Sequence, residues 1–379
     1  MPRNRHLLIL PLTVENFHPM QTTIIKRVIS ILLVLALLPS GGCKDRNGQS
    51  TGGDSTGTVV VDTGRFTLMG TFARIQLRCD NEQVGREAIE SAQAALAEVD
   101  RLMSTYRKDS ELSEINRRGA REPVKVSAET FQILLRAKKF SQITDGAFDI
   151  TVSPLISLWK SSAKENRLPT AEELVRAGKI VGYEKLILSS SADSRVSFAV
   201  DGMQINVNAI AKGYAVDRAL AAVRKPGVIA GLVDIGGEIA CFGTDAPDKP
   251  WRVGIQDPFA EDLDNPLSQK ARWIIELKDC AIATSGNYRQ YITIQDQKFS
   301  HIIDPRTGRP ADLLPSVTII APNTADADAL ATAVSVIGPK KGLELINSLP
   351  QTEGFFITGT NEKPEIYRSN GFGEYEAQL

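Results

Sequence analysis

The sequence predicts an α+β protein with mixed, mostly antiparallel sheets flanked by helices. Apolar–polar alternation rich in β-branched and aromatic residues recurs at Arg65–Arg78, Leu186–Val207, Val228–Phe242 and in short runs between Trp251 and Ile303. Apolar residues at helical spacing recur at Glu82–Met103, Ala128–Ile143, Ala209–Arg224 and Ala325–Ile337. Strand runs also follow one another through brief turn signals such as Asp234-Ile235-Gly236-Gly237, which is the connection a hairpin needs.

Of 379 residues, 44 are Lys or Arg and 45 are Asp or Glu, so no electrostatic footprint points to nucleic acid. The N-terminal segment differs from the rest. Lys26 and Arg27 precede an apolar run, Val28–Leu38, broken only by Ser30 and followed by Pro39-Ser40-Gly41-Gly42-Cys43. A basic start, a short apolar stretch and small residues before a cleavage point describe a secretory signal, and the run is short for a bilayer span. Met20 opens a signal of ordinary length and is the expected start. The small residues before Cys43 resemble a bacterial lipobox, with Ser40 where Leu is usual. Residues 1–43 are therefore expected to be a signal and lipobox segment, with Cys43 as the lipidation site. The mature protein would be exported and lipid-anchored to a bacterial membrane, facing the periplasm or the cell exterior. Residues 44–58, rich in Gly, Ser, Thr and Asp, read as a flexible tether, and 59–379 as the folded domain. Cys79, Cys241 and Cys280 are widely separated, with no zinc-type spacing. Small buried residues at strand ends is their simplest reading, although two of them could pair in an oxidising compartment.

In chain order, Arg65–Arg78 reads as one long strand with Met69-Gly70-Thr71 in its middle, where a glycine suggests close approach to the backbone. Glu82–Met103 is an amphipathic helix. Asp109 and Ser110 are candidate N-caps for Glu111–Asn116, which leaves Tyr106 on a loop, either as plain surface or as a face on which a flat ligand stacks. Ala128–Ile143 is a second amphipathic helix, with Gly146 turning the chain out of it. Pro169–Gly178 is a short helix, and Leu186–Val207 holds two or three strands.

Met203–Val207 then hands over to the helix that begins in Val207-Asn208-Ala209-Ile210-Ala211-Lys212-Gly213. A helix start with a lysine suits an anion, because its first N–H groups lack intrahelical partners and the dipole is positive there. Alone, the stretch reads better as an ordinary joint with a solvated lysine. Further on, Gln290–Ile294 and Phe299–Ile303 form a hairpin, Asp304-Pro305-Arg306-Thr307-Gly308 is a turn, and Ser316–Ile320 is a strand. Ala325–Ile337 is helical and stops at Gly338-Pro339. Asp328 and Thr332, four residues apart, share one face of this helix as an oxygen-only half-site of the kind Mg²⁺ prefers. On spacing alone, dipole compensation by Asp328 and a Thr332 hydroxyl bonded back to the helix explain them better.

The motifs in order are Met69-Gly70-Thr71, Met103-Ser104 with Tyr106 and Asp109-Ser110-Glu111, Phe148-Asp149-Ile150-Thr151-Val152, and Ala209-Ile210-Ala211-Lys212-Gly213. They continue with Asp234-Ile235-Gly236-Gly237, Thr284-Ser285-Gly286, His301-Ile302-Ile303-Asp304-Pro305 and Ala327-Asp328-Ala329-Leu330-Ala331-Thr332. Each is weak alone. The ordered set resembles the FAD:protein FMN transferase (ApbE) family over nearly the whole chain beyond the tether. The resemblance implies an FAD cleft between two lobes, a diphosphate held with Mg²⁺, and transfer of the FMN half to a Ser or Thr hydroxyl of a flavin-acceptor protein, with AMP leaving. By matching position, Met69, Tyr106, Ala147, Phe148, Asp149, Asn206, Lys212 and Ile302 would contact FAD. The Ala209 carbonyl with the Asp328 and Thr332 side chains would hold the metal. Asn206 departs from the family's usual Asp, keeping the hydrogen bonding and losing the charge.

The implied chemistry needs positioning and neutralised phosphate charge, which Lys212 and a Lewis-acid cation supply. The incoming hydroxyl must lose a proton. His301, the sole histidine outside the N-terminal segment, is the candidate general base, with Asp304 either orienting it or capping the turn. Asp328 is the second candidate catalytic residue. Two other functions fit the same site: an FAD pyrophosphatase giving FMN and AMP, and a non-catalytic FAD-binding lipoprotein.

Overall fold

A computed structural model describes residues 57–191, 193–260, 271–287 and 290–377. The expected signal segment with Cys43 and nearly all of the expected tether lie outside the described residues. Among the described residues no helix is long and apolar enough to cross a membrane.

The stretch expected as one long strand is a hairpin. After β1 (Val59–Asp62), β2 (Phe66–Leu68) turns back into β3 (Thr71–Cys79), with Thr67 opposite Phe72. Its turn residues both have positive φ, Met69 at 47° and Gly70 at 74°, as a two-residue turn matched to strand twist demands. Gly70 adopts this freely, whereas Met69 does so against its Cβ. Alternation along one strand and along two short arms looks alike in sequence, so only Gly70 marked the reversal.

Helix α1 (Glu82–Met103) begins at Asn81, whose side chain accepts from the Val84 N–H, and buries Ala88, Ile89, Ala92, Leu96 and Val99. Helix α2 (Glu111–Arg118) is capped by Ser110, while Asp109 pairs with Arg107 instead. β4 (Val124–Lys125) leads to α3 (Ala128–Ile143), capped by Ser127. A helix that periodicity did not announce, α4 (Ser153–Lys164), follows with Pro154 in its first turn. α5 (Ala171–Gly178) starts in a capping box between Thr170 and Glu173. β5 (Leu186–Ser189) and β6 (Arg195–Phe198) complete a small sheet with β4.

Met203–Val207 has the alternating burial of a strand, yet it is not one. Asn116 on α2 takes the place of a neighbouring strand. Its amide donates to the Ile205 carbonyl at 2.9 Å and accepts from the Ile205 N–H at 2.8 Å, and the Asn206 N–H goes to the Ile150 carbonyl. The Ile205 backbone is thus satisfied without a ladder. Helix α6 (Asn208–Val223) follows directly.

The main sheet is nine-stranded, and every pairing in it is antiparallel. After β3 come β7 (Val228–Ile235), β8 (Glu238–Phe242), β11 (Ala281–Gly286), β14 (Ser316–Ala321), β15 (Glu353–Gly359) and β16 (Pro364–Arg368), while β1 lies on the other side of β3. A ribbon of β9 (Trp251–Gln256) and β10 (Ala271–Leu277) and a hairpin of β12 (Tyr291–Ile294) and β13 (Gln297–Ser300) complete the strands described. Helix α7 (Thr324–Ile337) ends at Gly338, and the expected stop is also a start, because Pro339 opens α8 (Pro339–Ser348).

One face of the sheet packs under α1, α6 and α7 in the largest core cluster. Trp251, Ile255, Ile275 and Leu277 of the ribbon share a second cluster with Phe355 and Phe372. A third joins α4 to the β12–β13 hairpin through Leu155, Trp159, Ile292, Ile294 and Ile303. This is the α+β architecture of sheets flanked by helices expected from the sequence, except that the sheets are not mixed: every described pairing, in the smaller sheets too, is antiparallel.

Candidate functional site

The site forms at one end of the main sheet because of how α6 and α7 cross. Gly213 makes that crossing possible: a Cβ there would stand 2.4 Å from the Thr324 carbonyl oxygen. One turn further along α6, the half-buried Asp217 carboxylate accepts from the Thr324 and Ala325 N–H groups at 2.7 and 3.0 Å, tying down the start of α7. Asn323 caps the same helix, and Arg136 of α3 binds both Asn323 and Asp326.

This anchoring places Asp328 against α6, where its Oδ2 accepts from the Gly213 N–H at 3.1 Å. Helical geometry aims that same N–H at the Ala209 carbonyl, so the Asp328 carboxylate and the Ala209 oxygen converge on one donor. Thr332, one turn on, comes within 3.4 Å of the Ser285 hydroxyl at the end of β11. Ser285 and Gly286 are the last two residues of β11.

Lys212, beside Gly213, forms an ion pair with Glu238 at the start of β8. Glu238 is 3% exposed, and its second oxygen has no hydrogen-bond partner among the described residues. Burial pushes the Glu238 carboxyl up to about 7, against the pull of Lys212 and with repulsion from Asp328. Burial also raises Asp328, opposed by Lys212 and the Gly213 N–H. Among the described residues the site therefore holds two raised carboxyl groups beside the Lys212 ammonium. The linkage has a definite sign. The folded state holds these protons more tightly, so the stability they contribute is full below the ordinary values of 4.5 and 3.8. It is lost as pH rises, for Glu238 through about 7.

His301 approaches from just beyond β13. Its Nδ1 lies 2.9 Å from the Gln290 carbonyl, which can only accept, so Nδ1 carries the proton and Nε2 keeps its lone pair. Burial lowers the His301 pKa, and the fields of Lys212 and Lys160 lower it further. The imidazole is thus neutral at neutral pH, and the Lys212 field reaches it. Asp304 does not orient it: its carboxylate takes the Arg306 N–H and guanidinium and closes the turn.

The remaining candidates come from other segments of the chain. Met69 sits in the β2–β3 turn, and the neighbouring Gly236 of the β7–β8 turn packs against Thr71. Tyr106 is 87% exposed on the α1–α2 loop. Asn206 accepts from the Asn208 N–H at 2.8 Å, a task at the helix start that a neutral amide oxygen performs as well as a carboxylate. Ala147 and Phe148 are buried, with Phe148 edge-on to Phe140. Both Asp149 oxygens are engaged, by the Thr151 and Tyr183 N–H groups, each at 2.8 Å. Ile302 donates its N–H to Ser300.

Compared with known proteins, residues 69–356 match the ApbE family. The chain belongs to the ApbE family. The FAD:protein FMN transferase of Vibrio cholerae is 36% identical over 280 residues, covering 73% of this chain and 81% of that protein. The Escherichia coli FAD:protein FMN transferase is 32% identical over 320 residues, 83% of this chain and 88% of that one. Among solved structures, the Pseudomonas stutzeri flavinyl transferase ApbE in its apo form superposes with a TM-score of 0.73 at 29% identity, covering 86% of this chain and all (100%) of that one. The Thermotoga maritima ApbE protein gives 0.74 at 30%, covering 84% of this chain and 100% of that one.

In this ApbE chain, three site residues escaped the sequence analysis. Glu238 carried a signal, since it is the lone charge in the strand Glu-Ile-Ala-Cys-Phe and every residue of that strand is buried. Asp217 carried little, because an acidic residue mid-helix is usually solvated. Asn116 carried none, since its partner lies 89 residues away.

Proposed function

We propose that the chain is a Mg²⁺-dependent FAD:protein FMN transferase, with FAD and a Ser/Thr-bearing acceptor protein as its substrates. The observation that carries this reading is the convergence of Lys212, Asp328 and a neutral His301, drawn from three distant segments, on one end of the sheet. Lys212 supplies positive charge for the diphosphate and Tyr106 an open aromatic face for the flavin ring. Nε2 of His301 accepts the proton of the acceptor hydroxyl as its oxygen bonds to the FMN phosphorus. The bond from that phosphorus to the bridging oxygen breaks, and AMP leaves.

The donor set suits a hard divalent cation: the Ala209 carbonyl, the Asp328 carboxylate and the Thr332 hydroxyl are all oxygens, and an orphaned buried carboxylate oxygen on Glu238 adds negative charge. Bound there, Mg²⁺ would act as Lewis acid on the phosphoryl oxygens. The N-terminal segment supports export and lipid anchoring through Cys43, which would hold the domain at a bacterial membrane on a tether.

The decisive assay incubates the protein with FAD, Mg²⁺ and a candidate acceptor. Flavin fluorescence on the acceptor band is expected, with AMP released. Free FMN with AMP would indicate hydrolysis instead, and unchanged FAD mere storage. Tyr106→Ala, at a position the core does not feel, should weaken FAD affinity about tenfold without changing stability. For His301→Gln we expect transfer to fall by about 10² or more, along with loss of the acid limb of the pH–rate profile. An unchanged pH profile would remove the base assignment.

A further inference from the structure

Away from the site, Cys241 and Cys280 face each other across the least extensively paired joint in the main sheet. β11 pairs with β14 along its whole length, from Ala281 opposite Ala321 to Gly286 opposite Ser316. Its pairing with β8 on the other side consists of Ala281 opposite Ala240 and Ile282 opposite Ile239. Extending that register by one residue puts Cys280 opposite Cys241, and the Cys241 N–H indeed donates to the Cys280 carbonyl at 3.1 Å. Directly opposed, hydrogen-bonded residues on antiparallel strands have Cα atoms about 5.5 Å apart, inside the roughly 4.4–6.8 Å that a disulfide spans. The Cys241 sulfur also points along this joint, 3.6 Å from the Cys280 carbonyl oxygen.

We infer that Cys241 and Cys280 are a disulfide site, oxidised by a small-molecule disulfide or a protein thiol–disulfide exchanger to staple β8 to β11. Both are free thiols in the structure, Cys241 buried and Cys280 partly exposed. That asymmetry sets the order of events. The Cys280 thiolate attacks the oxidant's disulfide, forming a mixed disulfide and releasing one thiolate. The Cys241 thiolate, its proton passed to solvent, then attacks the Cys280 sulfur and releases the second. Two protein thiols lose two electrons and two protons, and the oxidant becomes two thiols. The interaction of the two thiols lowers the Cys280 pKa, which favours it as the first nucleophile. Export, as the N-terminal segment suggests, would bring the pair into an oxidising compartment. Cys79 is a built-in control, since it is buried on the opposite side of the sheet from this pair and burial pushes its thiol up to about 11.

The staple joins the β1–β3–β7–β8 half of the sheet to the β11–β14–β15–β16 half, at the joint where backbone pairing is shortest. The test incubates the full chain with oxidised glutathione, blocks remaining thiols with N-ethylmaleimide under denaturing conditions, and maps tryptic peptides without reductant. The Cys241 and Cys280 peptides should appear joined and separate on reduction, with Cys79 alkylated. Both peptides alkylated singly, or glutathione retained on Cys280, would overturn the inference. The oxidised chain should also melt about 5 °C or more above the same sample after dithiothreitol. Cys280→Ser, at a partly exposed position, should show no such difference. A wild-type melting temperature indifferent to reductant would also count against the staple, as would an equal shift in the variant.

Discussion

Asp328→Asn should reduce FMN transfer by about 10³ while leaving the fold intact. The substitution keeps one oxygen for the Gly213 N–H, which Asp328 now receives at 3.1 Å, and replaces the other by an NH2 group, removing the negative charge. Burial raises the Asp328 pKa, so the charge costs folding free energy in the metal-free protein. The variant's melting temperature without metal should therefore be equal to or above that of the wild type, which separates a chemical defect from misfolding. A second readout concerns Mg²⁺ itself. Saturating Mg²⁺ should raise the wild-type melting temperature by a few degrees at neutral pH and by less in mild acid, because protons compete for the same carboxylates. Asp328→Asn should lose that shift. Full transfer activity, or an undiminished Mg²⁺ shift, would remove Asp328 from the metal assignment.

Lys212→Met should lower both stability and activity, and the two losses should separate on a second substitution. Lys212 is the ammonium paired with Glu238, whose side chain is only 4% exposed. Breaking a fully buried pair by removing one partner costs about 3–5 kcal/mol, and the partial exposure of Lys212 reduces this to about 2 kcal/mol. The stranded Glu238 would relieve part of that by taking up a proton, so the loss should grow as pH rises. Adding Glu238→Gln removes the stranded charge and should return the melting temperature close to that of the wild type. Activity should stay about 10²-fold down in the double variant, because the positive charge facing the diphosphate is still missing. Recovery of activity along with stability would mean that Lys212 serves only to neutralise Glu238. Thermal melts and transfer rates on the same three proteins decide between these outcomes.

The sequence by itself determined the elements whose information is local. Helix α1 runs over the residues its apolar stripe marked, α3 likewise, and α6 and α7 end within a residue of where their patterns stop. Such stripes are legible because each position faces the same neighbour turn after turn. The β12–β13 hairpin and the turn closed by Asp304 were legible for a similar reason, since turn chemistry sits within a few residues, although the second arm is Gln297–Ser300 and not the expected Phe299–Ile303.

Tertiary structure alone decided what depends on partners far along the chain. Whether Arg65–Arg78 was one strand or two hung on the φ of Met69 and Gly70. Whether Met203–Val207 joined a sheet hung on an amide from Asn116. The site shows this most clearly. Asp328 and Thr332 looked like half a cation site or like nothing. What distinguishes them is the helix crossing opened by Gly213, the clamp from Asp217, and the buried Glu238 that occupies Lys212. Spacing records which face of a helix a carboxylate occupies. The charge that meets it there is set by packing between segments more than a hundred residues apart, and no local pattern encodes that encounter.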